Sequence, residues 1–374
     1  MAGNRKIPLS KVMIDDEMKK EVIRALESGW YILGERTREF ESAFAKFCGV
    51  KYAVATSSGT TAIFLSLLAL GIGRGDEVIV PSLSFIATAT PIIHVGARPV
   101  FVDIDLTTYT MDPEHVRRVL KNRKHRRRVR AIMPVHLYGH PADMDPLLEL
   151  AEEHNLFVIE DACQAHGALY KGRKVGSIGH VACFSFYPSK NMTVCGDGGM
   201  VVTNDEELAE KIRMLRNHGR REKYLHEIIG YNMRFNELQA AIGLVQLRRL
   251  PKWNERRREI ASLYNEALDG LVITPKEAPW AKHVYHMYVI RAEHRDKLRA
   301  FLADKGISTG IHYPIPIHKQ PAIVSQLGEL VSLKNTELCA RTVLSLPMYP
   351  GLREEDVRYI CDEIRRFFES STHT

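Results

Sequence analysis

The sequence predicts an α/β protein: a large domain with a mostly parallel seven-stranded sheet between helices, then a smaller α+β domain. Three observations carry this. Short β-prone runs alternate with helical segments from residue 52 to residue 203. Ser58, Asp161 and Ser185 stand at or just past the ends of such runs, where the loops of an open parallel sheet form a ligand crevice. Beyond Thr203 the alternation gives way to long helical periodicity.

In chain order, strands are expected at 52–56, 77–80, 98–103, 131–136, 157–161, 182–186 and 200–203. Ser57-Ser58-Gly59-Thr60-Thr61-Ala62 opens an apolar helix that runs to Leu70, and 113–120 is helical. Helices follow at 205–217, 236–250 and 251–268. Pro251 can open a helix but removes a hydrogen bond inside one, so a kink or break is expected there. Residues 272–274 and 285–290 read as extended, with helices at 293–305 and 354–368. The division this suggests is 1–250 for the large domain, with an N-terminal arm, and 251–374 for the small one.

Composition agrees with two cores, since 374 residues with 45% hydrophobic content exceed what one small domain uses. The apolar stretch 62–70 is far shorter than the roughly 20 residues that cross a bilayer. The first eight residues lack the apolar centre of a signal peptide, so a cytoplasmic protein is expected. The net charge of +7 owes much to 121–130, but that run holds no aromatic residues and lies between a helix and a strand. It reads as a solvated connection, and no nucleic-acid partner is expected. The six cysteines form no CxxC pair. His136 and His140 have helical ligand spacing, but Gly139 and Pro141 argue against a helix, so no metal is expected. Gly71-Ile72-Gly73-Arg74-Gly75 follows a helix and precedes a strand, the wrong order for a dinucleotide loop.

The chemistry concentrates elsewhere. Lys190 lies in Phe184-Ser185-Phe186-Tyr187-Pro188-Ser189-Lys190-Asn191, shortly after the acidic strand end Ile159-Glu160-Asp161-Ala162-Cys163-Gln164. An amine and a carboxylate so placed suit pyridoxal phosphate. The amine condenses with the aldehyde, and the carboxylate keeps the pyridine nitrogen protonated so that the ring accepts electrons. A buried Asp is costly without a positive partner, and pyridinium is one. Ser58-Gly59-Thr60 at a helix start offers unpaired N–H groups, close backbone approach and a hydroxyl to a phosphate, to which Ser185 adds another. Taken singly, each has a plainer reading: Asp161 or Ser58 as a helix cap, Lys190 as a solvated loop lysine. Their combination in one chain favours the cofactor.

With these pieces in view, the chain resembles the DegT/StrS-type nucleotide-sugar aminotransferases, within the aspartate-aminotransferase-like fold type I pyridoxal phosphate enzymes. The matching segments span nearly the whole chain: Gly29-Trp30-Tyr31-Ile32-Leu33-Gly34, Ser58-Gly59-Thr60-Thr61-Ala62, Pro81-Ser82-Leu83-Ser84-Phe85, Pro134-Val135-His136-Leu137-Tyr138-Gly139, the Asp161 and Lys190 segments, Gly196-Asp197-Gly198-Gly199-Met200, Gly230-Tyr231-Asn232-Met233-Arg234 and Ile311-His312-Tyr313-Pro314. The resemblance implies that Phe85 stacks on the cofactor ring, that Gln164 bonds the ring hydroxyl, and that Gly59, Thr60 and Ser185 hold the phosphate. It implies a homodimer in which Asn232 reaches the neighbouring subunit's site, with Tyr31, Arg234, Tyr313 and His318 lining the substrate pocket. An exposed arginine, a half-buried tyrosine and a loop histidine are the plainer accounts of Arg234, Tyr313 and His318.

The implied activity is ping-pong transamination from L-glutamate to a keto-sugar on a nucleoside diphosphate. Residues 230–236 lean towards amination at C4, whereas Gln164 is frequent in relatives acting at C3 or on keto-inositols; the expected acceptor is a 4-keto-6-deoxyhexose, with a C3-keto sugar the second choice. A keto-inositol acceptor and a non-catalytic regulator are the alternatives. Lys190 argues against the dehydratase relatives, which carry His there.

Overall fold

The computed structural model describes residues 6–122, 128–328 and 331–371, so the basic run read as a connection lies partly outside them, at 123–127. Seven strands make the central sheet: β1 (Tyr52–Thr56), β2 (Glu77–Pro81), β3 (Arg98–Val102), β4 (Val129–Ile132), β5 (Phe157–Asp161), β6 (Val181–Ser185) and β7 (Gly199–Thr203). Their spatial order is β1-β7-β6-β5-β4-β2-β3. β3, β2, β4, β5 and β6 are mutually parallel, and β7 is antiparallel to both β6 and β1.

Both faces of the sheet are buried, and the strand period of two assigns residues to them. Ala53, Ala55, Ile79, Ile132, Val158, Ala182, Phe184, Met200 and Val202 enter one hydrophobic cluster. Their neighbours Val54, Val78, Val80, Ala131, Ile159, Val181, Cys183 and Val201 enter the other, with the helix Gly59–Ala69. This accounts for the near-continuous apolar strands in the sequence.

Two expectations about elements need correction. The strand expected at 131–136 stops at Ile132, because Pro134 offers no N–H to a ladder. The chain past it still clasps β5: Asp161 N–H donates to the Pro134 carbonyl at 2.9 Å and His136 N–H to the Asp161 carbonyl at 3.0 Å. The helices expected on either side of Pro251 are one 32-residue helix, Glu237–Leu268. Ala240, Leu247 and Leu250 pack beneath the sheet, and Ile260, Ala261, Tyr264 and Leu268 pack in a third cluster. Burial on both sides of the proline outweighs the one lost hydrogen bond.

That third cluster gathers Tyr288, Ile290, Leu344, Leu346 and Ile364 around an antiparallel strand pair, Tyr288–Arg291 with Val343–Leu346. Ile7 joins it through a bridge to Ile307, so this residue packs with the C-terminal residues and not with the sheet.

Candidate active site

The site forms where β1, β5 and β6 deliver their ends to one place. Ser58 caps the helix Gly59–Ala69: its hydroxyl accepts the Thr61 N–H at 3.1 Å, and the Thr61 hydroxyl accepts the Ser58 N–H at 2.9 Å. A first helical turn leaves N–H groups without intrahelical acceptors, and here they belong to Gly59 and Thr60, both on the cavity wall. A Cβ on Gly59 would lie 2.7 Å from Ser185 Cβ and 2.9 Å from Cys163 Sγ. A Cβ on Gly199, the cross-strand partner of both Thr56 and Ser185, would lie 2.2 Å from the Ser58 carbonyl oxygen. These two glycines let the helix start close against Ser185. The result is a cradle of backbone N–H and hydroxyl donors suited to a phosphate.

The cradle opens into a cavity of about 470 Å³ that also receives Lys190, Asp161, Phe85, Gln164 and Tyr313. Lys190 is held by a short turn, its N–H donating to the Tyr187 carbonyl at 2.9 Å. The next residue anchors that turn: the Asn191 amide donates to Asn254 Oδ1 at 2.9 Å and to the Val284 carbonyl at 3.0 Å. Burial holds the Lys190 amine below the ordinary 10.5, with Cys163 and Asp161 opposing. Burial, aided by Lys190, also lowers His312 to about 4 and His166 to about 3, so these imidazoles stay neutral beside the amine. Burial and then Asp161 push the Cys163 thiol well up, which keeps it protonated.

Asp161 is buried, with Oδ2 accepting the Thr88 hydroxyl at 2.8 Å and Oδ1 the Cys163 N–H at 3.2 Å. Opposite, Gln164 Oε1 accepts the Tyr138 N–H at 2.9 Å, which fixes the amide so that Nε2 donates to the Tyr313 hydroxyl at 3.1 Å. The Phe85 and Tyr313 rings lie 6.0 Å apart, and Phe85 keeps 55% of its surface exposed. The residues fit pyridoxal phosphate: one cavity is lined by anion donors, a buried carboxylate, an amine and an aromatic face available for stacking. Among the described residues no group of acidic, His and Cys side chains is arranged to hold a metal ion. His136 and His140 are engaged separately, with Glu160 and with the Ala278 N–H.

Residues 12–365 match the profile of the DegT/DnrJ/EryC1/StrS aminotransferase family. The chain belongs to this family. A Streptomyces venezuelae relative described as dTDP-3-amino-3,4,6-trideoxy-alpha-D-glucose transaminase is 46% identical over 94% of this chain and 92% of its own. An Acidithiobacillus ferrooxidans relative described as UDP-N-acetyl-3-dehydro-alpha-D-glucosamine 3-aminotransferase is 44% identical over 98% and 99%. Among solved structures, NtdA from Bacillus subtilis with bound cofactor PMP superposes with a TM-score of 0.89 at 32% identity, over 96% of this chain and 85% of that one. The chain is thus a pyridoxal phosphate-dependent sugar aminotransferase with the α/β fold of its family.

Of the residues singled out in the sequence, the aminotransferase cavity collects Ser58, Gly59, Thr60, Phe85, Asp161, Gln164, Ser185, Lys190 and Tyr313. His318 does not line this cavity: it is buried, with Nδ1 2.6 Å from Ser82 Oγ and its own N–H donating to the same hydroxyl at 3.0 Å. Tyr31, Asn232 and Arg234 lie outside the cavity of this chain. Segment 31–36 runs beside 235–237, where Glu237 N–H donates to the Tyr31 carbonyl and the Glu237 carboxylate accepts the N–H groups of Gly34, Arg36 and Thr37. Asn232 bridges Asn217 nearby. Wall residues that the sequence reading did not single out include Thr88, Ala87 and Met287. The spacing of Ser84 and Thr88, four apart beside an aromatic, was the available clue to the first.

Proposed function

We propose that this enzyme moves the amino group of L-glutamate to the keto carbon of a sugar carried on a nucleoside diphosphate. The observation that carries the reading is the meeting, in one cavity, of a lysine with a lowered pKa, a buried carboxylate and a helix-start phosphate cradle. Bound pyridoxal phosphate supplies a carbonyl that takes up the amino group and a ring that spreads the developing negative charge. In this reading Gly59, Thr60, Ser58 and Ser185 hold its phosphate, Asp161 accepts the pyridine N–H, and Gln164 Nε2 reaches the ring hydroxyl. Phe85 covers one face of the ring. Lys190 offers an amine whose charged form burial disfavours, and it carries the proton from the donor Cα. The same groups serve in reverse on the keto-sugar, which makes the kinetics ping-pong.

Amination at C3 is the ring position we favour, because it is named in the descriptions of both relatives above and Gln164 accords with it. The protein loaded with cofactor should release 2-oxoglutarate stoichiometrically from L-glutamate and then aminate a 3-keto nucleotide-sugar. Conversion of only the 4-keto isomer would restore the C4 reading, and failure to release 2-oxoglutarate would remove glutamate as donor.

The site is proposed to be completed by a second copy that contributes Asn232, with Tyr31 and Arg234 beside it. Trp30 (63% exposed), Tyr224 (84%) and Ile229 (91%) give this region the apolar surface of an interface. Asn232→Ala and Lys190→Ala chains, each deficient alone, should regain roughly a quarter of native activity when co-refolded in equal amounts, since half the dimers would then hold one intact site. Additive, uncomplemented activity would place Asn232 in its own chain's site or in none.

A further inference from the structure

We propose that Thr88, backed by Ser84, is a positioning residue that fixes the orientation in which the Asp161 carboxylate meets the pyridine nitrogen; the inference rests on the role given to Asp161 above. Three buried groups form a chain: Ser84 (3% exposed), Thr88 (2%) and Asp161 (4%). Thr88 Oγ1 lies 2.8 Å from Asp161 Oδ2, and Ser84 Oγ lies 2.8 Å from Thr88 Oγ1. The directions follow from chemistry. An ionised carboxylate only accepts, so Thr88 spends its single proton on Asp161, and Ser84 must then donate to Thr88. Each donor polarises the next, so the bond to the carboxylate is stronger than an isolated hydroxyl would make.

This matters because Asp161 must present an acceptor to the ring nitrogen, and a carboxylate free to rotate would not hold one there. The groups that meet Asp161 from neighbouring elements are Lys190, Cys163, Cys183 and Tyr313. Of these only Lys190 can carry a positive charge, and its pKa is lowered. The hydroxyl chain and the Cys163 N–H are therefore the fixed donors that hold the carboxylate. The same short segment supplies Phe85, one residue after Ser84 and three before Thr88, with 86–88 as a single 3-10 turn. One loop thus sets both the proposed stacking face and the partner of the ring nitrogen.

The test compares Thr88→Val, Thr88→Ser, Ser84→Ala and Asp161→Asn by three readouts: cofactor dissociation constant, pH midpoint of the visible band of Lys190-bound cofactor, and kcat against KM. Thr88→Val should weaken cofactor binding about tenfold, the size of a lost hydrogen bond to a charge. It should shift the spectral midpoint and lower kcat while leaving the sugar KM unchanged. Thr88→Ser should restore all three, and Ser84→Ala should move them the same way by less. Native midpoint and affinity in Thr88→Val, with Asp161→Asn impaired, would overturn the proposal. An unimpaired Asp161→Asn would instead overturn the role of Asp161. Where Thr88→Val fails to fold, Ser84→Ala decides, and an unmoved midpoint there overturns the chain.

Discussion

Replacing Lys190 with alanine should lower turnover by at least about 10³-fold, because one side chain acts both as nucleophile and as proton carrier. The folded protein should not suffer. Burial depresses the Lys190 pKa below 10.5, so the charged form is disfavoured on folding. For such a group the cost to stability is full below the folded-state pKa and disappears as pH rises through 10.5. At neutral pH the alanine variant should therefore melt at the native temperature or above it, which separates a catalytic loss from a folding loss. Lys190→Arg should be equally inactive, since guanidinium stays charged. The apoprotein should take up cofactor at a rate that rises with pH and levels off below 10.5. A Lys190→Ala protein within tenfold of native turnover would remove Lys190 from the chemistry.

The sheet was legible because its strands are buried on both faces and so read as compact apolar runs with turn residues between them. The residues that meet at the cavity were legible for a related reason: a strand followed by Ser-Ser-Gly-Thr-Thr is a local signal, and so is a lysine after Tyr-Pro-Ser. What local patterns cannot convey is which distant groups satisfy one another. Pro251 looked like a boundary because the clusters that hold its helix on both sides come from residues far away in sequence. His318 was placed with the pocket by its segment alone, and no local pattern shows that its ring meets Ser82, 236 positions earlier. Tyr31, Asn232 and Arg234 lie outside the cavity of this chain, and the role proposed for them needs a second copy, which no local pattern can convey. Glu237, in the first turn of the long helix, closes the start of the helix Glu35–Cys48 across roughly two hundred residues, and no motif announces it.

Glu160→Gln should cost about 3–5 kcal/mol, the size expected when one partner of a buried charged network is removed. Glu160 and its partner His136 are both fully buried. The carboxylate accepts four bonds: His136 Nε2 at 2.9 Å, Gly176 N–H at 2.8 Å, Ile178 N–H at 2.9 Å and Gly179 N–H at 2.7 Å. His136 Nδ1 accepts the Ala142 N–H at 3.0 Å, so the ring proton sits on Nε2 and points at the carboxylate. An amide at this position would turn one acceptor into a donor facing donors, leaving two buried N–H groups without partners. Burial by itself would raise the Glu160 pKa, but the bonds from His136, Gly176 and Gly179 outweigh it and hold the value below 4.5. A depressed carboxylate contributes stability that is present above its unfolded value and is lost as pH falls through the folded one. The native protein should therefore lose stability below about pH 4.5, and the Glu160→Gln variant should show a flatter acid limb. Because Glu160 precedes Asp161 on β5 and points to the opposite face, the damage should appear first in unfolding, with turnover per folded molecule kept at low temperature. Denaturant titration decides: a loss under 1 kcal/mol would mean that the loop 176–179 rearranges to satisfy itself, and that β5 does not depend on this buried charge to present Asp161.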